Sequence, residues 1–298
     1  MESSIDIFGR SNSRGGGGKR GPRGPVGPRG PPGIGSIENI VRWFPKMVTT
    51  ETRYNEFCCL KISDPNRDLL IEKTAIKRWN SSTSKSNNFA KSLENFFSKK
   101  YSLVNGGIYA LNLNGENAYR IRDVKFFPYQ KNQWVWTCIT FRLLNGDGEQ
   151  YLFSNYAEST KEFRGVSVTE KSIKIWGSDE KPNHFVNILT RDSLVNKWCT
   201  VFVFWSDVDV RKGNYIVLVQ DGGERIQGQF LCQQFSSVFQ QDFIDMFGIY
   251  DVEKSHKIIH GFHGDVAFFE LYIQKNAKEA TYPDNLRELV IQSQSINV

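Results

Sequence analysis

No run in this chain of 298 residues is long and apolar enough to span a bilayer, which excludes a helical membrane anchor within it. The opening MESSIDIFGRSNSR lacks the apolar core of a secretory signal, so any route to an exterior is expected to proceed without one. Cysteine is scarce. Cys58, Cys59, Cys138, Cys199 and Cys232 are odd in number and contain no CxxC pair, which excludes a disulfide framework and predicts free thiols. Cys138 and Cys199 sit in apolar runs, where a small buried thiol belongs. Phosphate-binding glycine patterns are missing too: the run at Gly15–Gly18 has no strand before it and no helix start after it. His184 and His256 have no cysteine or ligand spacing nearby, which leaves zinc without support.

Charge is present but unevenly spread. Of a formal +6, the segment through Gly35 holds +4, from six basic residues against Glu2 and Asp6, so the rest of the chain is nearly balanced. A short basic arm can touch an anionic surface, yet no base-reading motif accompanies it, and nucleic acid is not expected as a partner. The same segment holds 11 of the 25 glycines and 5 of the 10 prolines.

Those glycines are in phase. Gly18, Gly21, Gly24, Gly27, Gly30 and Gly33 recur every third residue, with Pro22, Pro25, Pro28 and Pro31 directly after four of them. Three polyproline-II chains can wind together only when every third residue has no side chain at the axis, and proline pre-sets the backbone for that helix. A collagen-like stalk over residues 18–35 is therefore predicted, with a flexible single-stranded linker as the bland alternative. Residues 1–17 read as a polar, Gly-rich head. After the stalk, Ile37, Ile40, Val41 and Phe44 fall at helical spacing before Pro45. That neck helix would clamp three chains in register, or pack on its own domain; the spacing fits both.

Residues 36–100 read as neck and transition region, with strands at EFCCLKI and DLLIE on either side of the Asp64-Pro65-Asn66 turn. From Tyr101 to the C-terminus, short strand patterns alternate with turn signals such as Asn114-Gly115, Asn145-Gly146-Asp147-Gly148 and Asp221-Gly222-Gly223. Ser172–Trp176 alternates strictly and predicts one wet face, whereas WVWTCITF and CTVFVFW are apolar throughout and predict central strands. The fold class is mainly β: an antiparallel β-sandwich of jelly-roll type, with Trp136, Phe141, Val201, Val203, Leu218 and Phe268 near its core and a helical tail at the end.

The strand order from GIYALNLNGENAYRI to FHGDVAFFELYI, with Trp198, Asp221-Gly222 and Gly264-Asp265-Val266 in place, resembles the laminin-G-like, concanavalin-A-like jelly roll. That resemblance implies a head that binds carbohydrate or protein, and it makes Asp147 and Asp221 candidate calcium ligands; the same aspartates also suit plain hairpins. Phe8-Gly9-Arg10, the Gly-Pro-Arg triplets and the RWFPKMV-to-EFCCLKI passage resemble surface proteins of Polinton/Maverick-type elements and related DNA viruses. The resemblance implies a trimeric, fibre-like virion-surface or capsid-associated protein that contacts a glycan, a receptor or another capsid component.

No catalytic residue and no cofactor are expected. Glycoside hydrolases of this fold class carry a Glu-x-Asp-x-x-Glu strand, and Asp251-Val252-Glu253 is followed by His256 where the third acid would stand. His260 and His263, at i and i+3 on a strand entrance, are expected to point apart rather than share a metal. A soluble host lectin, a glycan-cleaving enzyme and a cytoplasmic location stand as alternatives.

Overall fold

The computed structural model describes residues 55–72, 75–80, 89–92, 101–104, 108–122, 134–157, 162–177, 185–206, 212–219, 224–231, 243–251 and 257–274. The collagen-like run, the neck positions Ile37, Ile40, Val41 and Phe44, Asp221 and the C-terminal tail lie outside them.

In chain order the elements begin with β1 (Asn55–Lys61), a one-turn helix α1 (Pro65–Asp68), β2 (Leu69–Glu72), β3 (Ala75–Asn80), β4 (Phe89–Ser92), β5 (Tyr101–Val104), β6 (Ile108–Asn114) and β7 (Tyr119–Arg122). Next come β8 (Trp134–Leu143), β9 (Gln150–Ala157), β10 (Glu162–Val168), β11 (Ser172–Trp176), β12 (Phe185–Leu189) and β13 (Trp198–Ser206). The series closes with β14 (Lys212–Val219), β15 (Glu224–Leu231), β16 (Phe243–Met246), β17 (Ile249–Asp251), β18 (Lys257–Ile259) and β19 (His263–Gln274). Two sheets result, with β17 and β18 forming a separate ribbon. Sheet A runs β15-β14-β13-β8-β19-β6-β5, with β1 also on β19, and sheet B runs β12-β11-β10-β9-β16-β7-β4-β3-β2. Every pairing between named strands is antiparallel.

The division expected at Tyr101 does not separate the sheets. β1 pairs with the last strand, β19, and β2, β3 and β4 extend sheet B from β7, so residues 55–92 supply sandwich strands. The Asp64-Pro65-Asn66 turn becomes α1, which Asp64 caps by accepting the Asn66 N–H at 3.0 Å.

Both long apolar strands are central: β8 and β13 pair over nine residues in the middle of sheet A. Val135, Ile139, Phe141, Val201, Val203 and Trp205 point to the space between the sheets, where Phe153 of β9 meets Trp205 and Phe269 edge to face or tilted, at 6.3 and 5.2 Å. All six residues expected in the core are buried. They divide between two faces, however. Trp136, Leu218 and Phe268 lie on the outer side of sheet A, outside the inter-sheet cluster, because they alternate with inward neighbours in strands apolar on both sides.

Cys138 and Cys199 are free and buried, and burial, with a smaller push from the Glu224 charge, raises the Cys199 thiol well above its usual range. Neither cysteine is expected to take up iodoacetamide until the protein unfolds, and reducing agent is expected to leave the melting temperature unchanged. Peptide mass spectrometry after native labelling checks the first, and calorimetry the second. No helix among the described residues is long and apolar enough to cross a membrane.

Candidate functional site

The alternation of SIKIW decides which side chains of β11 are available. Ile173 and Ile175 enter the core, and Ser172, Lys174 and Trp176 take the opposite face of sheet B. On one side, β12 sets Phe185 opposite Trp176 and Asn187 opposite Lys174. On the other, β10 sets Gly165 opposite Trp176 and Ser167 opposite Lys174. A register irregularity between Val166 and Ser167 then aligns Ser167 with Tyr151 of β9. The Trp176 and Tyr151 rings face each other across β10, their centroids 6.2 Å apart.

The outcome is an aromatic platform on the outer face of sheet B. The Trp176 and Phe185 rings are 4.6 Å apart, and Phe185 is 39% exposed at the edge strand. His260 reaches the platform from the turn before β19, with its ring edge-on to Tyr151 at 5.5 Å and Nδ1 3.2 Å from the Glu149 carbonyl oxygen. A polar chain fixes the indole: Trp176 Nε1 donates to Ser167 Oγ at 2.8 Å, Ser167 donates to Glu149 Oε1, and Lys174 Nζ lies 2.7 Å from Glu149 Oε2. The Lys174 ammonium also sits over the Phe185 ring at 4.7 Å and the Trp176 ring at 5.7 Å. Burial, with a smaller contribution from the Glu149 charge, raises the Tyr151 phenol, which therefore keeps its proton. Rigid aromatic faces edged by fixed donors and acceptors suit a ligand with apolar C–H faces and polar rims.

No family model and no curated protein matches this chain. Solved structures of similar fold do. One is domain 4 of AbnA, a GH43 extracellular arabinanase from Geobacillus stearothermophilus, in complex with arabinotriose: 13% identity, 80% of this chain and 99% of that chain covered, TM-score 0.47. A second is the CBM40 of the Ruminococcus gnavus IT-sialidase bound to alpha2,3 sialyllactose, at 12% identity, 60% and 94% coverage and TM-score 0.39. A third is the LG1-3 region of the laminin alpha2 chain, at 12% identity, 59% and 33% coverage and TM-score 0.40.

Asp147 lies in the turn between β8 and β9 with its side chain exposed; its backbone N–H donates to Asn145 Oδ1 at 2.9 Å, and Gly148 follows at φ 72°. The turn thus has the Asx geometry of a plain connection. Among the described residues no group of three or more His, Cys, Asp or Glu side chains is placed to hold a metal ion. His260 and His263 part as their spacing predicts: His260 joins the sheet B platform, and His263 starts β19 opposite Asn114 in sheet A. Of the platform, the sequence marks only Lys174 and Trp176, through the wet face of β11. Tyr151, Phe185 and His260 join them through strand register and a turn.

Proposed function

We propose that this protein is a non-catalytic recognition protein that binds glycans through the Trp176–Phe185–Tyr151 platform, and that its collagen-like stalk presents the heads as trimers on a virion or other exterior surface. The observation that carries glycan binding is the platform itself: the Trp176 and Phe185 rings packed together on an outer sheet face, backed by the buried Tyr151 ring, with Lys174, Glu149 and Asn187 around them. Sugar rings offer C–H faces to such rings and hydroxyls to such rims. Binding rather than cleavage is supported by the state of Glu149, whose two carboxylate oxygens are taken by Ser167 and Lys174; hydrolysis by the common route needs a proton donor and a second carboxylate across one bond. The glycine period supports the stalk, and the Gly-Pro-Arg and RWFPKMV passages support the viral setting.

A glycan array probed with the full-length protein tests the reading. Retention on a defined set of glycans is expected, and Trp176→Ala is expected to weaken it by about tenfold or more, the loss usual for an aromatic anchor. An array without retained glycans, or a folded Trp176→Ala variant that binds as before, would overturn it. Release of reducing ends from a retained polysaccharide would favour the enzyme.

A further inference from the structure

Sheet A carries a second cluster, on its outer face. Trp198 of β13, Arg142 of β8, Asp265 of β19 and Asn112 of β6 stand directly opposite one another in register, making one row across four strands. Asp265 is 1% exposed. Its Oδ2 accepts from Arg142 Nε at 2.8 Å and Nη2 at 2.5 Å, and its Oδ1 accepts from Asn112 Nδ2, which also lies 3.3 Å from Ser102 Oγ. A buried carboxylate thus grips one edge of the guanidinium. The other edge, formed by Nη1 and the second hydrogen of Nη2, has no partner among the described residues, and the Arg142 side chain is 36% exposed. The guanidinium carbon lies over one face of the half-buried Trp198 ring, 5.3 Å from its centroid, which leaves the other face and the edge of the ring for a ligand.

From this row we infer a second ligand site, which takes a carboxylate-bearing sugar: the carboxylate on the open fork of Arg142 and the sugar's C–H face on Trp198. Two parallel N–H donors match a carboxylate in spacing and plane, and charge assistance makes that pairing about twice as strong as one with neutral hydroxyls. Because Asp265, itself held by Asn112, already fixes the fork, little side-chain entropy remains to be lost on binding. The site is on the sheet opposite the Trp176 platform and does not depend on it.

Calorimetric titration of the full-length protein with tri-galacturonate, and with galactotriose as the neutral counterpart, tests the inference. Tri-galacturonate is expected to bind at least about tenfold more tightly than galactotriose. Arg142→Lys, which keeps a cation beside Asp265 but loses the fork, and Trp198→Ala are each expected to cut that affinity about tenfold, with Trp176→Ala leaving it unchanged. Should Arg142→Lys fail to fold, Trp198→Ala decides alone. Equal affinity for the two trimers, no binding of tri-galacturonate, or a folded Trp198→Ala variant with undiminished affinity would overturn the site.

Discussion

Alanine at Gly261 is expected to destabilise the sandwich by about 3 kcal/mol, within the upper range for backbone strain at a packed position. A Cβ there would lie 1.8 Å from the Gly115 carbonyl oxygen and 2.6 Å from its carbon. No side chain can swing away to make room. Gly115 is itself held at φ 84° in the turn after β6, and its N–H donates to the Phe262 carbonyl at 3.1 Å. Phe262 is fully buried, edge-on to Phe141 at 5.8 Å, and its N–H donates to the Phe247 carbonyl, so the added methyl pushes against the core as well as the turn. For a domain of this size the cost corresponds to a fall in melting temperature of roughly 6–12 °C. His260, one residue back, would lose its place against Tyr151, so glycan affinity should fall with stability. Gly148 is the control: nothing stands within 4 Å of its Cβ position, and only its φ of 72° opposes a side chain. Gly148→Ala is expected to cost about 1 kcal/mol. Scanning calorimetry of both variants gives the comparison, and a Gly261→Ala protein melting with the wild type would show that the two backbones have room to part.

How the chain reads depends on where the information lies. β8 and β13 are legible because a strand buried on both faces must be apolar throughout, and WVWTCITF and CTVFVFW are. β11 is legible because a strand with one wet face must alternate. β12 is not: FVNIL turns Phe185 and Leu189 outward as an edge strand, so its pattern is the reverse of a core-facing strand and only pairing with β11 defines it. The extent of the short β17 is not legible either: Phe247 and Gly248, both at positive φ, separate it from β16, and only its pairing with β18 defines it. The platform is hidden for a similar reason. Tyr151, Trp176, Phe185 and His260 are neighbours only through three strand registers, one irregularity and a turn, none of which leaves a spacing motif. Arg142 and Asp265 are likewise 123 positions apart, and the row they form exists only once β8 and β19 pair.

Deleting residues 18–35 is expected to convert the assembled protein to monomers while leaving the sandwich folded. Both sheets are built from Asn55 onward, so removing the stalk takes away no described strand. What it takes away is the six-glycine register. Glycine at every third position with proline in four successive following positions meets the steric demand of a triple helix, a demand that a monomeric linker does not have. At about 3 Å per residue the 15-residue run from Gly18 to Pro32 spans only about 45 Å, too short to offset the entropy of joining three chains by itself. Ile37, Ile40, Val41 and Phe44 are therefore expected to share the work, and their replacement by polar residues should weaken the trimer as well. Gly27→Ala should damage assembly more than Arg29→Ala, because only the glycine position is closed to a side chain. Sedimentation equilibrium reads all of these, and a full-length protein that stays near 34.2 kDa at every concentration would refute the stalk. Assembly also bears on recognition. One head is expected to hold a sugar weakly, but three on one stalk would raise the effective concentration of the second and third contacts, and avidity can then exceed a single affinity by about 10²–10⁴ without any new contact. Loss of the stalk should therefore cut retention on a dense glycan surface far more than binding to a soluble oligosaccharide, and equal losses in the two assays would mean that the heads act singly.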